Sequence, residues 1–199
     1  MVIMMQKINF IALAAGISSL LLIAFSYFVP WWQFKAGSPA NFLINFSPVN
    51  VNFTHSGASI AVPLVLALNI ACLLTLLAGG ITLTIYALKP TKSYSKQLLG
   101  FGYTKPIFAL VAFIAILIAS PIIIQAFTGV SVPINGSAII SPKGSSQSAS
   151  AQAVLNWPFY FAIVVTGLSI AGRFYHRRIN KPTLVTPTPT IVTPTPSPQ

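Results

Sequence analysis

The sequence predicts an all-α membrane protein, a four-helix transmembrane bundle with a small antiparallel β hairpin in its first outer loop. Three observations favour this fold class. Of the 199 residues, 55% are hydrophobic and 6% charged, whereas an ordinary soluble domain carries about 25% charged residues. Four apolar stretches are each long enough to cross a bilayer core of about 30 Å. The basic residues lie mainly on alternate connections between these stretches, as the positive-inside rule predicts.

The first apolar stretch covers residues 8–29 and is followed by Trp31 and Trp32, which are typical of an interfacial aromatic anchor. Lys7 precedes the stretch, so a secretory signal is the alternative interpretation. The apolar core is longer than a typical signal region, and no small-x-small cleavage pattern precedes the tryptophans. We therefore expect a retained helix.

The connection that follows, residues 30–57, contains two runs with strand character. Residues 49–53 alternate apolar and polar side chains, which is the period of a half-buried strand. With the run at 41–46, they predict a small antiparallel hairpin over the outer ends of the helices. A partly apolar outer surface favours contact with another protein. The candidate contact residues are Trp31, Trp32, Phe42, Ile44 and Phe53.

The remaining spans are predicted at residues 58–88, 107–127 and 153–172. The second is long enough to tilt or to project beyond the membrane, and Pro121 predicts a kink in the third. The second outer loop includes residues 143–150, a small-residue segment that we expect to be flexible.

Orientation follows from the basic residues, of which nine fall on one side of the predicted membrane and two on the other. Because Lys and Arg are enriched in cytoplasmic connections, both termini are predicted to be cytoplasmic. The nine are Lys7, Lys89, Lys92, Lys96, Lys105, Arg173, Arg177, Arg178 and Lys181, and the two are Lys35 and Lys143.

Three Asn-x-Ser/Thr sequons, at Asn45, Asn52 and Asn135, all fall in the predicted outer loops. This placement agrees with the orientation. Glycosylation is the functional interpretation, and chance occurrence in loops rich in Asn, Ser and Thr is the alternative.

Two regions are predicted along the chain: a transmembrane domain over residues 1–182 and a tail over 183–199. The tail alternates Pro and Thr, a composition that blocks helix and sheet and is typical of disorder. A recognition peptide is the alternative. The adjacent basic residues indicate a cytoplasmic tail rather than an external mucin-like stalk.

The composition excludes several kinds of chemistry. Without any Asp or Glu, the chain cannot form a carboxylate acid–base pair, a Ser-His-Asp triad or a carboxylate metal shell. His55 and His176 are predicted on opposite sides of the membrane, so they cannot share a haem or zinc ion. The sequence lacks the dense basic face that nucleic-acid binding requires. We therefore expect no enzyme activity and no cofactor.

Two amides inside the predicted spans, Asn69 and Gln125, are candidates for a transport pathway. Interhelical hydrogen bonding is the alternative and the preferred interpretation, because uncharged amides in helix bundles more often pair with a neighbouring helix.

The layout of one helix, a larger outer loop with strand character and three further helices over residues 8–172 resembles four-span membrane proteins of claudin-like architecture. The claudin pattern of Trp followed by Gly-Leu-Trp and two cysteines is absent, since Trp31 and Trp32 are adjacent and the loop has no cysteine. The resemblance therefore implies the layout and no junction role. The acid-free composition and the Pro/Thr tail also resemble membrane proteins of thermoacidophilic archaea or their viruses.

These observations lead to the expectation of a non-catalytic multi-pass protein of the cell membrane, either an accessory subunit or a surface scaffold acting through its outer loops. Its expected partners are the lipid bilayer and other membrane proteins or a second copy of itself. The alternatives are a small transporter or channel component that works as an oligomer, and a viral envelope protein.

Overall fold

The computed structural model describes residues 8–37, 42–60, 63–128, 131–140 and 148–179, which form four helices and six strands. Each helix contains a segment long and apolar enough to cross a membrane. The helices are α1 (Phe10–Phe28), α2 (Pro63–Leu88), α3 (Ser95–Thr128) and α4 (Trp157–Ile179). The strands are β1 (Trp32–Ala36), β2 (Phe42–Ser47), β3 (Asn50–His55), β4 (Ala58–Ile60), β5 (Gly136–Ile140) and β6 (Ala149–Leu155).

The predicted all-α bundle with a small hairpin is wrong. The chain forms one six-stranded antiparallel sheet in the order β4-β3-β2-β1-β6-β5, and the predicted hairpin is its β2–β3 pair. Strands β1 to β4 lie between α1 and α2, and β5 and β6 lie between α3 and α4. The β1–β6 pair, with Trp32 opposite Leu155, joins the two connections into one sheet.

Several predicted boundaries also change. Residues 58–60 form β4 instead of starting a span, and α3 begins at Ser95 rather than at 107. Ala149–Leu155 is strand β6, although the sequence was predicted to be flexible at 143–150 and helical from 153. Residues 143–147 and the tail at 183–199 lie outside the described residues.

The helices pack in a ring, in which α1 contacts α2 and α4, and α3 contacts the same two helices from the other side. Small residues make the close approach of α1 possible. A Cβ at Gly16 would lie 2.9 Å from the backbone nitrogen of Thr84 on α2, and one at Gly172 on α4 would lie 3.2 Å from Cα of Ala12. Ala12 and Gly16 are buried, so α1 presents the packing face that its small residues predict.

One core joins the sheet to the helices. The indole of Trp31 lies 4.8 Å from the ring of Phe113 on α3, and the ring of Phe46 on β2 stacks on Phe113 at 4.9 Å, both between ring centroids. The Trp31 Nε1–H donates to Ser26 Oγ on α1 at 2.6 Å. Such aromatic clusters combine a large buried area with specific ring geometry, so the sheet is held in a defined position against α1 and the middle of α3.

The sheet has two chemically different faces. Alternate residues such as Trp32, Phe34, Ala151 and Ala153 point towards the helices and are buried. The intervening residues point away from the helices and form what we call the distal face. They are mainly amides and hydroxyls: Gln33, Lys35, Leu43, Asn45, Asn52, Thr54, Ser59, Ser137, Ile139, Ser150, Gln152 and Val154.

Candidate functional site

The five residues predicted to contact a partner belong to the core or pack against it. Trp31 is 1% exposed, Trp32 is 3% exposed and Ile44 is 9% exposed, while Phe42 and Phe53 are partly buried against the same cluster. The physical reason is that the apolar face of an amphipathic strand turns towards the helices that cover it. Trp31, Trp32 and Ile44 therefore leave little surface for a partner in this structure, whereas Phe42 and Phe53 remain partly exposed.

The distal face carries two of the three predicted glycosylation residues, Asn45 and Asn52. Asn45 and Asn52 lie directly opposite each other on β2 and β3, where cross-strand Cβ atoms are about 5 Å apart. The Asn45 Oδ1 accepts a hydrogen bond from Gln33 at 2.7 Å, and Asn45 is half-buried whereas Asn52 is exposed. Asn135 is exposed just before β5. The structure therefore presents Asn52 and Asn135 more openly than Asn45.

The two edges of the sheet differ in length and exposure. Strand β4 has only three residues and leads towards α2, whereas β5 has five and pairs, among the described strands, with β6 alone. Strand β5 contains neither a charge nor a proline, and Ile139 on its distal face is 78% exposed. An edge without charge, proline or bulge is open to pairing with another strand. The sequence had given no indication of this edge, because β5 was assigned to a loop.

A cavity of about 530 Å³ lies between α2, α3 and the helix-facing side of the sheet. Trp32, Ile44 and Phe53 line it at the sheet, and Asn69 lines it on α2. Asn69 is 9% exposed. Its side-chain amide makes no hydrogen bond within the part of the chain that the structure describes, so the interhelical bond expected for it is not found there.

The cavity is lined mainly by apolar side chains, with Asn69 and Lys105 among the few polar ones. Lys105 lies ten residues along α3, and its ammonium is 4.3 Å from the ring centroid of Phe101. Such a lining suits an apolar chain better than a hydrated ion. Gln125, the other predicted pathway residue, is exposed on α3 and is not among the residues that line this cavity.

A second cavity, of about 520 Å³, lies between α3 and α4 at the end of the bundle opposite the sheet. We call it the basic cleft; its lining residues are Lys96, Leu99, Gly100, Tyr103, Arg173, His176 and Arg177. His176 lies about 28 Å along α4 from Trp157, which adjoins the sheet. His55 is on β3, so the two histidines lie at opposite ends of the molecule.

A buried polar network fixes the position of His176. Its Nδ1 lies 2.7 Å from the Tyr86 hydroxyl on α2. The Asn9 Nδ2 donates to that hydroxyl at 3.0 Å and to the carbonyl of Gly172 at 3.2 Å. Asn9 also caps α1 by accepting from the Ala12 N–H at 3.0 Å. One amide therefore connects α1, α2 and α4 beside the cleft.

The described residues contain no group of three or more His, Cys, Asp or Glu side chains that could hold a metal ion. Cys72 is a partly buried free thiol on α2. The features left for function are the distal face, the β5 edge and the two cavities. No protein-family model matches the chain, and a search of curated proteins also found no match.

Proposed function

We propose that this chain is a non-catalytic integral membrane protein that acts through its sheet, as an accessory subunit of a membrane complex or as a surface scaffold. The open β5 edge carries the proposal, because it offers backbone hydrogen bonds to a partner strand. Four helices that are long and apolar enough to cross a membrane support the membrane assignment. The proposal includes the four-span layout similar to claudin-like architecture, without the junction role.

The proposed orientation places the sheet outside the cell and both termini in the cytoplasm. Lys89, Lys92, Lys96, Arg173, Arg177 and Arg178 lie at the helix ends opposite the sheet. Lys35 is on β1 in the sheet. An excess of Lys and Arg marks the cytoplasmic side of membrane proteins.

Cysteine labelling tests this orientation. In a Cys72→Ala background, Ser59→Cys on β4 and Ser93→Cys between α2 and α3 are both exposed positions. We expect an impermeant thiol reagent to label Ser59→Cys in intact cells and Ser93→Cys only after the membrane is permeabilised. The reverse pattern would place the sheet in the cytoplasm.

Partner contact is proposed to occur by addition of a strand to β5, with Ile139 covered by the partner. A second copy of the chain or another membrane protein could supply that strand. Charged side chains on an edge strand oppose such pairing, so Ile139→Lys is expected to weaken association. Val154→Lys is the matched control, because Val154 is also apolar and partly exposed on the distal face, but lies on β6 inside the sheet.

The measurement is purification from the native source in mild detergent, with cross-linking and mass spectrometry of the associated chains. We expect Ile139→Lys to lose the cross-linked partner and Val154→Lys to keep it. If both variants kept the cross-linked partner, the β5 edge would not be the site of contact. If Asn69→Leu abolished ion or solute flux through reconstituted vesicles while Ile139→Lys did not, the alternative of a transporter or channel component would replace this proposal.

A further inference from the structure

We propose that the basic cleft binds the phosphate group of an anionic phospholipid. This inference is independent of the partner proposed for the sheet, because the cleft lies at the other end of the bundle. It rests on four observations: the convergence of cationic side chains, the absence of side-chain carboxylates from the sequence, an unfilled space beside Gly100, and the position of the cleft on the helices.

The cationic side chains of the cleft come from two facing helices. Lys96 lies in the first turn of α3, and Arg173 and Arg177 lie on one face of α4, four residues apart. All three line the same cavity of about 520 Å³. Like charges that share a cleft repel one another, so a bound anion would remove a repulsion as well as form new contacts.

No side chain in this protein can neutralise those charges, because the sequence contains no Asp and no Glu. In most proteins a cluster of Arg and Lys is paired with carboxylates. Here no side-chain anion of the protein itself can pair with them, which favours an anionic ligand. Guanidinium groups bind phosphate oxygens with two parallel hydrogen bonds, so this pair of arginines suits a phosphate group.

The cleft also has a defined shape. The Arg173 guanidinium carbon lies 4.3 Å from the ring centroid of Tyr103, and this contact places the guanidinium against α3. A Cβ at Gly100 would meet no atom within 4 Å. The missing side chain leaves space between the helices, and the Tyr86–Asn9 network fixes the neighbouring His176. The charges therefore surround a space that a phosphate group could occupy.

The position of the cleft favours a lipid over a soluble anion. Arg173 lies within the segment of α4 that is long and apolar enough to cross a membrane, Trp157–Arg178. Leu99 and Tyr103 add apolar surface to the lining. Basic pockets between helices at this level take lipid headgroups, with the acyl chains remaining in the bilayer. Phosphatidylglycerol carries its single negative charge on the phosphate, so it is the probe for this site.

The test is native mass spectrometry of the full-length protein in detergent, titrated with phosphatidylglycerol, with phosphatidylcholine and with inorganic phosphate. We expect phosphatidylglycerol to bind at least about tenfold more tightly than phosphatidylcholine, because both lipids carry the phosphate but phosphatidylcholine adds a trimethylammonium cation that the cationic side chains of the cleft repel. Equal binding of the two lipids would overturn the proposal. Saturation of the cleft by inorganic phosphate at equal concentration would show a soluble-anion site and would overturn the lipid assignment.

Two variants separate a shaped cleft from general surface charge. Arg173→Gln with Arg177→Gln should weaken phosphatidylglycerol binding about tenfold or more, whereas Arg178→Gln removes one charge outside the cleft lining and should leave it within twofold. Gly100→Leu keeps every charge but fills the space, and should also weaken binding about tenfold. If Arg178→Gln weakened binding as much as the double variant, or if Gly100→Leu had no effect, binding would be unspecific and the proposal would fail.

Folding of each variant is checked by its unfolding temperature without added lipid. Gly100 is exposed and has no neighbour within 4 Å of a Cβ, so Gly100→Leu is expected to fold. If the double variant did not fold, Gly100→Leu and Arg178→Gln alone would distinguish binding in a shaped cleft from unspecific binding to surface charge.

Discussion

The contact between α1 and α2 at Gly16 can be tested by adding a single methyl group. In Gly16→Ala the new Cβ would lie 2.5 Å from Thr84 Oγ1, 2.9 Å from the Thr84 backbone nitrogen and 3.1 Å from the Gly80 carbonyl oxygen. Non-bonded atoms of this kind prefer about 3.5–4.0 Å. The hydroxyl can rotate away but the backbone cannot, so the helices must separate by a few tenths of an ångström or more.

The expected cost follows from two opposing terms. Overpacking of a close contact costs about 1–3 kcal/mol, and an obstruction by backbone favours the upper half of that range. Replacing a helical glycine with alanine returns up to about 1 kcal/mol through helix propensity. We therefore expect Gly16→Ala to lower the free energy of unfolding by about 1–2 kcal/mol.

Gly167 on α4 provides the matched control, because a Cβ there would meet no atom within 4 Å. Gly167→Ala should gain the propensity term alone, so the difference between the two alanine variants isolates the overpacking cost. The assay is unfolding in mixed micelles with increasing dodecyl sulfate, followed by tryptophan fluorescence. If both variants unfolded at the same dodecyl sulfate fraction, the close approach at Gly16 would not exist in the folded protein.

Two further predictions concern the sheet. Ser26→Ala removes the acceptor of the buried Trp31 N–H and should lower the free energy of unfolding by about 1–3 kcal/mol. The control is Thr104→Ala, which removes an exposed hydroxyl on α3 and should change the free energy of unfolding by less than about 0.5 kcal/mol. The same micelle titration measures both variants. In a glycosylating host, glycopeptide mass spectrometry should find Asn52 occupied in preference to Asn45, because Asn45 is half-buried and hydrogen-bonded. Equal occupancy of both residues would show that the burial and hydrogen bond of Asn45 do not limit its glycosylation.

The helices could be predicted from the sequence because the bilayer requirement is local. About 20 consecutive apolar residues suffice for each span, so each span and the polar residues that bound it can be recognised from a short stretch of sequence. The same reasoning predicts the start of α2 too early, because Ala58 and Ile60 are apolar and would suit either a strand or a helix. An apolar run does not distinguish a strand at the sheet edge from the first turn of a helix.

The sheet could not be predicted as a whole, because its central pairing joins β1 to β6, with Trp32 opposite Leu155. No local pattern specifies a partner that distant. Strand β6 does alternate, but its buried positions are mainly alanines, such as Ala151 and Ala153, and alanine is depleted in strands and common in helices. The sequence of β6 therefore predicts a flexible loop up to residue 150 and the start of a span at residue 153.

The candidate contact residues show a related limit. The alternation of Phe42, Ile44 and Phe53 correctly marks one face of a hairpin, but a local period does not reveal what covers that face. The helices lie on that side of the sheet, so the exposed surface consists of the intervening residues and of the β5 edge. The β5 edge and the cavity beside Asn69 depend on contacts between segments far apart in the chain, which is why neither could be found from the sequence.

The β1–β6 pairing also imposes an order on assembly. Strand β2 follows β1 closely in the chain, but β6, which pairs with the other edge of β1, is synthesised about 120 residues later. At about 5–20 residues per second, that interval lasts roughly 6–24 seconds during translation. Throughout it, the first four strands form a partial sheet with one central edge open and Trp32 lacking its cross-strand neighbour Leu155. An unpaired edge of this kind is open to association with another strand until β6 is made.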